Sequence, residues 1–294
     1  MPNKFKRNPS QAKGDALASY YDAMGAQVTT QLLRLDALSY TESEASMIQG
    51  NIKVIVDRLN KNSFAWSYKV TPIIYNEAVS IARTSLKALG AVEDESYRKA
   101  KHKGSIENLA ERTAKDMFKA NRSINANIAT YVHLLRQASA GLKQLQAFDL
   151  RDEEVIAGLL DDAILEGASR SKLNSLIRVH FKRKLYEQKF IRINDRDYNM
   201  ISYAKMVSRT RLRKVQSEAM RNMCDQYQND LVEVSAHGTT CWICKPYEGE
   251  IYSLNGNTPG YPILQPGDEP GWHPNCEHSI QPTSLEAINA RTSH

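Results

Sequence analysis

Cys241-Trp242-Ile243-Cys244 and His273-Pro274-Asn275-Cys276-Glu277-His278 decide how the C-terminal part of this chain is read. A Cys-x-x-Cys pair followed about thirty residues later by His-x-x-Cys-x-His has metal-ligand spacing. Two intervening residues let a tight turn aim both side chains at one ion. A tetrahedral Zn²⁺ then needs a second pair from elsewhere in the chain. Cys241, Cys244 and Cys276 supply three thiolates, and His273 and His278 compete for the fourth place. The two-residue gap to Cys276 favours His273. The other histidine either supports the site or is itself the ligand. Thiolates predominate and four ligands are at hand, so the spacing predicts a structural ion rather than a catalytic one with an open position. Glu248 and Glu277 stand near enough in sequence to be bases in a catalytic version, and are read instead as surface or supporting groups. Cys241 and Cys244 as a redox pair would need a strand-to-helix junction, whereas residues 245–250 read as a turn.

The segment around these residues is poor in core-forming pattern. Leu231-Val232-Glu233-Val234 alternates as a strand, 250–254 reads as a second, and 279–281 as a third. Between the last two, Pro259, Pro262, Pro266 and Pro270 dictate an irregular loop. Such loops bury little of their own surface, and a structural metal supplies the missing cross-link. A short helix of one or two turns is expected after Ser284.

Upstream of Asn229, helical periodicity dominates. Residues 1–14 are polar and basic and predict a loose arm. Thr41-Glu42-Ser43-Glu44 is a capping-box sequence opening a helix to about Asn60. Thr71-Pro72 reads as a fresh helix start, with Ile74, Ala78, Ala82, Leu86 and Leu89 on one face and Gly90 ending it. The charged stretch 91–104 reads as a loop. From near Ser105, a stripe through Ile106, Leu109, Thr113, Met117, Ala120, Ile124, Ile128, Tyr131, Leu135, Ala138, Leu142 and Leu145 predicts a helix of about ten turns, with Gly141 as an interruption. Further helices are expected over 152–167 and from Ser169 or Ser171 to about Lys189. Residues 190–193 read as a short strand, and Asp197 as the cap of a helix to about Gln228. The expected fold is mainly α. An elongated helical region with a flexible basic arm spans 1–195, and a long helix plus a small zinc-stapled α+β module spans 196–294.

The chain has 294 residues, 41% hydrophobic and 24% charged, in the range of soluble globular proteins. No apolar run has the roughly 20 residues a membrane span needs. The basic start, Met1 to Arg7, is followed by no apolar segment of signal-peptide length, which predicts no export by that route. Three of the four cysteines cluster with histidines, which favours a metal over a disulfide framework, and Cys224 reads as a buried or half-buried thiol on a helix. The formal charge of +6 suits a negatively charged partner, either nucleic acid or an acidic protein face. From Phe181 to Arg221 there are twelve Lys/Arg against four Asp/Glu. Arg209, Arg211, Arg213 and Lys214 form the densest basic run, a candidate nucleic-acid or partner contact, or else a set pairing with acidic residues of the C-terminal module. No phosphate loop, dinucleotide fingerprint or nucleophile elbow is present. His133 and His180 read as packing or surface residues.

The order of these motifs resembles the phage head-morphogenesis or minor head (minor capsid) proteins, of the Mu-like type. The resemblance rests on Ala204 with Val207-Ser208-Arg209-Thr210, then Thr240-Cys241-Trp242-Ile243-Cys244, Glu248-Gly249-Glu250 and the run from His273 to His278. It covers about 203–283. Arg211 departs from that family's acidic residue, and His278 stands where the family carries a cysteine. Imidazole also ligates zinc, so the resemblance strengthens His278 as a ligand. It implies a non-enzymatic protein of the virion or procapsid, assembled in the host cytoplasm. It also implies a place near the portal, with the portal protein and other capsid components as partners, and work in head morphogenesis and in DNA packaging or ejection. The long helix suits contact with the portal or self-association, and the basic faces suit packaged DNA. The competing readings are a zinc-containing nucleic-acid binder and a nuclease-like enzyme. The second needs an acid/base pair that the sequence does not display.

Overall fold

The computed structural model describes residues 9–34, 41–94, 99–140, 187–193, 196–239, 241–270, 272–273 and 276–292. The helix expected over 152–167 lies outside these, as do Gly141, Leu142 and Leu145 of the long stripe, His180, the side chain of His133, and all of the helix expected to about Lys189 except residues 187–189, which form a turn and extended chain and not helix. The described chain is mainly α. Its helices are α1 (Pro9–Leu33), α2 (Glu42–Ala88), α3 (Lys99–Ala140), α4 (Met200–Gln226) and α5 (Leu285–Thr292). Its strands are β1 (Ile191–Ile193), β2 (Arg196–Tyr198), β3 (Leu231–Val234), β4 (Ile251–Ser253) and β5 (Ile280–Pro282). No described helix is long and apolar enough to cross a membrane.

The capping box forms as read. The Thr41 amide donates to Glu44 Oε2 at 2.6 Å, and the Glu44 amide donates to Thr41 Oγ1 at 3.2 Å. Thr71-Pro72, however, does not start a new helix: α2 runs through it for 47 residues. A proline inside a helix forfeits one hydrogen bond. Here Trp66, Val70, Thr71, Ile74 and Tyr75 are all buried around it, and that packing holds the helix across the gap. Ala78, Ala82 and Leu86 continue the buried face. Gly90, at φ +75°, closes the helix: its amide reaches Lys87 O at 3.1 Å and the Ala91 amide reaches Leu86 O at 3.0 Å. This pair of bonds is the left-handed glycine stop.

Three further expectations are corrected. Helix α3 begins at Lys99 rather than near Ser105. Pro9 to Gly14 belong to α1 instead of a loose arm. Gly14 is there for close approach: a Cβ would meet Ser208 Oγ at 2.6 Å. Asp197 is in β2, opposite Arg192, and the cap of α4 is Asn199, whose Oδ1 accepts from the Ser202 amide at 2.9 Å.

The chain divides into two compact units, one of residues 1–16, 65–114 and 205–294, the other of 17–64 and 115–204. The second unit is built on stripes: Leu17, Tyr21, Met24, Val28 and Leu32 of α1, Ile48, Ile52, Val56 and Leu59 of α2, and Met117, Ile124 and Ile128 of α3 are all buried. A polar chain crosses it, from Tyr21 Oη to Asn121 Oδ1 (2.9 Å) and from Asn121 Nδ2 to Asn60 Oδ1 (2.9 Å). Burial pushes the Tyr21 phenol up to about 12. The β1–β2 hairpin is held to α3 by Asn127 Nδ2 on Phe190 O and the Arg192 amide on Ser123 Oγ.

The first unit carries the C-terminal module. Its core joins Ala82 and Leu86 of α2, Met220, Met223, Cys224 and Tyr227, and Val232, Val234, Leu254, Leu264 and Ile280 from the sheet and its loops. Cys224 is fully buried, as read, and burial together with neighbouring Asp225 pushes its thiol up to about 12. The sheet is antiparallel in the order β4-β3-β5, with Val232 opposite both Tyr252 and Pro282. The loop is irregular as expected over residues 255–270. Arg221 holds it from α4, giving Nε to Glu269 Oε1 and Nη2 to Leu264 O, both at 2.7 Å. Asp230 holds its start, accepting from Ser253 Oγ, Thr258 Oγ1 and the Asn255 amide.

Candidate metal centre

Topology explains why two segments thirty residues apart meet. Strand β3 is central, so its C-terminal end adjoins both the departure of the 235–250 connection and the arrival of the chain at β5. Four bonds tie these segments there: Val234 N to Glu250 O, Gly249 N to Val234 O, Ser235 N to Ser279 O, and Ser279 N to Ser235 Oγ. The first connection carries Cys241 and Cys244. The chain entering β5 carries His273, Cys276 and His278. Cys241 O caps a tight turn, accepting from the Cys244 amide at 3.2 Å and the Lys245 amide at 2.9 Å. The 3₁₀ turn Lys245–Tyr247 follows.

The five side chains gather into two overlapping groups, Cys241 with Cys244 and His273, and Cys244 with Cys276 and His278. Within each group the donor atoms lie within 4.8 Å of one another. Cys244 Sγ stands 3.9 Å from Cys276 Sγ and 2.8 Å from His273 Nε2. Cys241 Sγ is 3.4 Å from the same His273 nitrogen, and Cys276 Sγ is 3.6 Å from His278 Nδ1. Cys244, Cys276 and His278 are buried, and none of the four cysteines is in a disulfide.

The electrostatics suit a cation. Burial raises the Cys244 thiol, and the adjoining Cys276 and Cys241 sulfurs raise it further, to about 12. Cys241 is moved the other way by the Cys244 and Ile243 amides aimed at its sulfur. Cys244 Sγ lies within 4.8 Å of both other sulfurs, so bare thiolates here would repel, and a divalent cation removes that penalty. The donor set, three Sγ and imidazole nitrogen, fits zinc in its structural mode.

Glu248 is the residue spacing alone undervalued. Its carboxylate accepts from the His237 amide at 2.7 Å, from the Thr239 amide at 3.0 and 3.2 Å, and faces His278 Nε2 at 2.9 Å. The His237 amide chiefly, with His278 and the Thr239 amide, holds Glu248 below the usual carboxylate range against the opposing effect of burial. His237 packs edge-on to His278 at 5.1 Å and meets Ser235 Oγ through Nε2. Burial and His278 lower its pKa. The sequence offers Glu248 only as one of two surface or supporting carboxylates and gives no sign of His237; the contacts of both form when the loop closes. Trp272 stacks on Tyr247 at 4.4 Å beside the cluster, while Trp242, inside the Cys-x-x-Cys turn, is 82% exposed.

The basic run of α4 does not form one exposed face. Arg209 is exposed; Arg211, Arg213 and Lys214 are half-buried. Burial, aided by neighbouring Arg112, lowers the Arg211 pKa. Arg213 is lowered by burial too, and the Cys276 and Glu277 charges oppose that shift.

No curated protein and no solved structure matches this chain. Residues 168–292, which contain every candidate ligand, match the family described as phage minor capsid protein 2, so the C-terminal part of the chain is similar to a phage structural family.

Proposed function

We propose that this chain is a minor structural protein of a phage head, placed in the virion or procapsid with other capsid components. The observation that carries this is the family match over 168–292, which encloses the cysteine–histidine cluster and its sheet. In this reading the protein is not an enzyme. Its module is stapled by one structural Zn²⁺, held by Cys241, Cys244, Cys276 and one of His273 and His278. The ion supplies a cross-link between the 235–250 connection and the chain entering β5. The finer assignment is a place near the portal, acting in head morphogenesis and in DNA packaging or ejection, after assembly in the host cytoplasm. The long α2 and α3 helices and the positive charge support contact with the portal protein, a second copy or packaged DNA.

Co-sedimentation tests this. Tagged protein expressed with the other head genes is expected in the procapsid fraction, cross-linking to portal or shell protein. Recovery only as free protein would count against it, and metal-dependent cleavage of RNA or DNA by the pure chain would replace it with the enzymatic reading. Salt-dependent DNA binding lost on neutralising Arg209 and Arg211, without capsid association, would favour the nucleic-acid-binding reading.

A further inference from the structure

We infer that His278, ligating through Nδ1, is the nitrogen ligand of the metal centre, that Glu248 is the residue that positions it, and that His273 is a hydrogen-bond partner of the sulfurs. This rests on the metal reading above and settles which histidine completes the set.

Three observations lead there. First, His278 Nε2 is committed to Glu248 Oε1 at 2.9 Å. A carboxylate accepts, so Nε2 carries the proton, and in the neutral ring Nδ1 presents its lone pair. Nδ1 is the atom that faces Cys276 Sγ. A metal-ligating histidine commonly gives its other ring N–H to a carboxylate, which fixes the tautomer and raises ligand basicity. Second, with Zn–S near 2.3 Å and Zn–N near 2.0 Å, tetrahedral geometry places two sulfurs about 3.8 Å apart and a sulfur and nitrogen about 3.5 Å apart. Cys244–Cys276 at 3.9 Å and Cys276–His278 at 3.6 Å fit those edges. Cys244–His273 at 2.8 Å is far too short for two ligands of one ion, while Cys241–His273 at 3.4 Å matches an N–H···S hydrogen bond as well as a ligand edge. Third, His278 is 3% exposed, whereas His273 is half-buried at the mouth of the site.

Glu248 also links the two halves of the ligand set. Besides orienting His278 it accepts from the Thr239 amide, and Thr239 Oγ1 accepts from the Cys241 amide at 3.1 Å. One carboxylate thus fixes the turn that bears Cys241 and the ring that completes the site.

The test uses the full chain loaded with Co²⁺ and read by its visible and near-ultraviolet absorption, with Zn²⁺ affinity from chelator competition. His278→Cys is expected to retain metal and to shift the spectrum from three-sulfur to four-sulfur character, with stronger thiolate charge transfer. His273→Ala is expected to keep the wild-type spectrum and lose less than about fivefold in affinity. Glu248→Gln keeps the size and the hydrogen-bonding capacity but removes the charge; it is expected to weaken Zn²⁺ by about 10–100-fold and to move the Co²⁺ bands. A wild-type spectrum in His278→Cys, or metal lost from His273→Ala, would overturn the inference while leaving the metal centre standing. An unchanged Glu248→Gln affinity would remove the positioning role. A wild-type chain that takes up no Co²⁺ or Zn²⁺ would instead overturn the metal reading itself.

Discussion

Arg221 and Asp230 show how single side chains stand in for a missing core in the 255–271 loop. Arg221 is 7% exposed and its Glu269 partner is similarly enclosed. Replacing Arg221 by Met strands a buried carboxylate and two carbonyls, so chemical denaturation should show a loss of about 3–5 kcal/mol. Adding Glu269→Leu to that variant should recover part of the loss. Asp230 is pushed up by burial, but the Ser253 and Thr258 hydroxyls and the Asn255 and Thr258 amides outweigh it, leaving the carboxyl below the ordinary aspartate range. A depressed folded value means that stabilisation is complete above the unfolded pKa, near pH 4, and fades as pH falls through the folded one. Amide exchange across 254–264 should therefore quicken below about pH 4 in the wild type, and Asp230→Asn should lack that dependence. At this scale the sequence displays the sulfur and imidazole donors, because ligand chemistry is written in residue type and short spacing. It names Glu248 beside Glu277 as a supporting candidate but does not display its pairing with His278, thirty residues away, which forms only through the sheet.

Elements were legible wherever the signal is local. The Thr41 capping box and the Gly90 stop are both formed by bonds spanning six residues or fewer. Thr41→Ala should cost about 1 kcal/mol, and Gly90→Ala, at φ +75°, about 1–2 kcal/mol. Boundaries set by packing were not legible. Pro72 carries every local mark of a helix start, yet burial on both sides of it outweighs the lost hydrogen bond. Its cost is still present in the folded chain, so Pro72→Ala should raise stability by as much as about 3 kcal/mol with unchanged far-ultraviolet circular dichroism. The same competition explains Asn199: Asp197 and Asn199 have equivalent cap chemistry, and pairing of β2 with β1 claims Asp197. Gly14 looks like arm composition and is instead a contact point for Ser208.

For the whole molecule, the helical N-terminal region and the small α+β end follow from periodicity and from where it stops. The division of the chain into interleaved units does not, since it depends on which parts of α2 and α3 pack with which partners. The proposed function follows from neither alone; it rests on the C-terminal match, and the cysteine–histidine cluster lies inside the matched residues. If the ion is the staple, its removal should loosen the ligand loops more than the helices. Chelation should speed exchange over 235–250 and 272–279 and change the fluorescence of Trp272, while helicity stays nearly constant. The most direct test is elemental analysis of the purified full chain beside Cys244→Ser, because Cys244 belongs to both ligand groups. The prediction is about one zinc per wild-type chain and a small fraction of that in the variant. No zinc in the wild type, or equal zinc in both, would contradict the account.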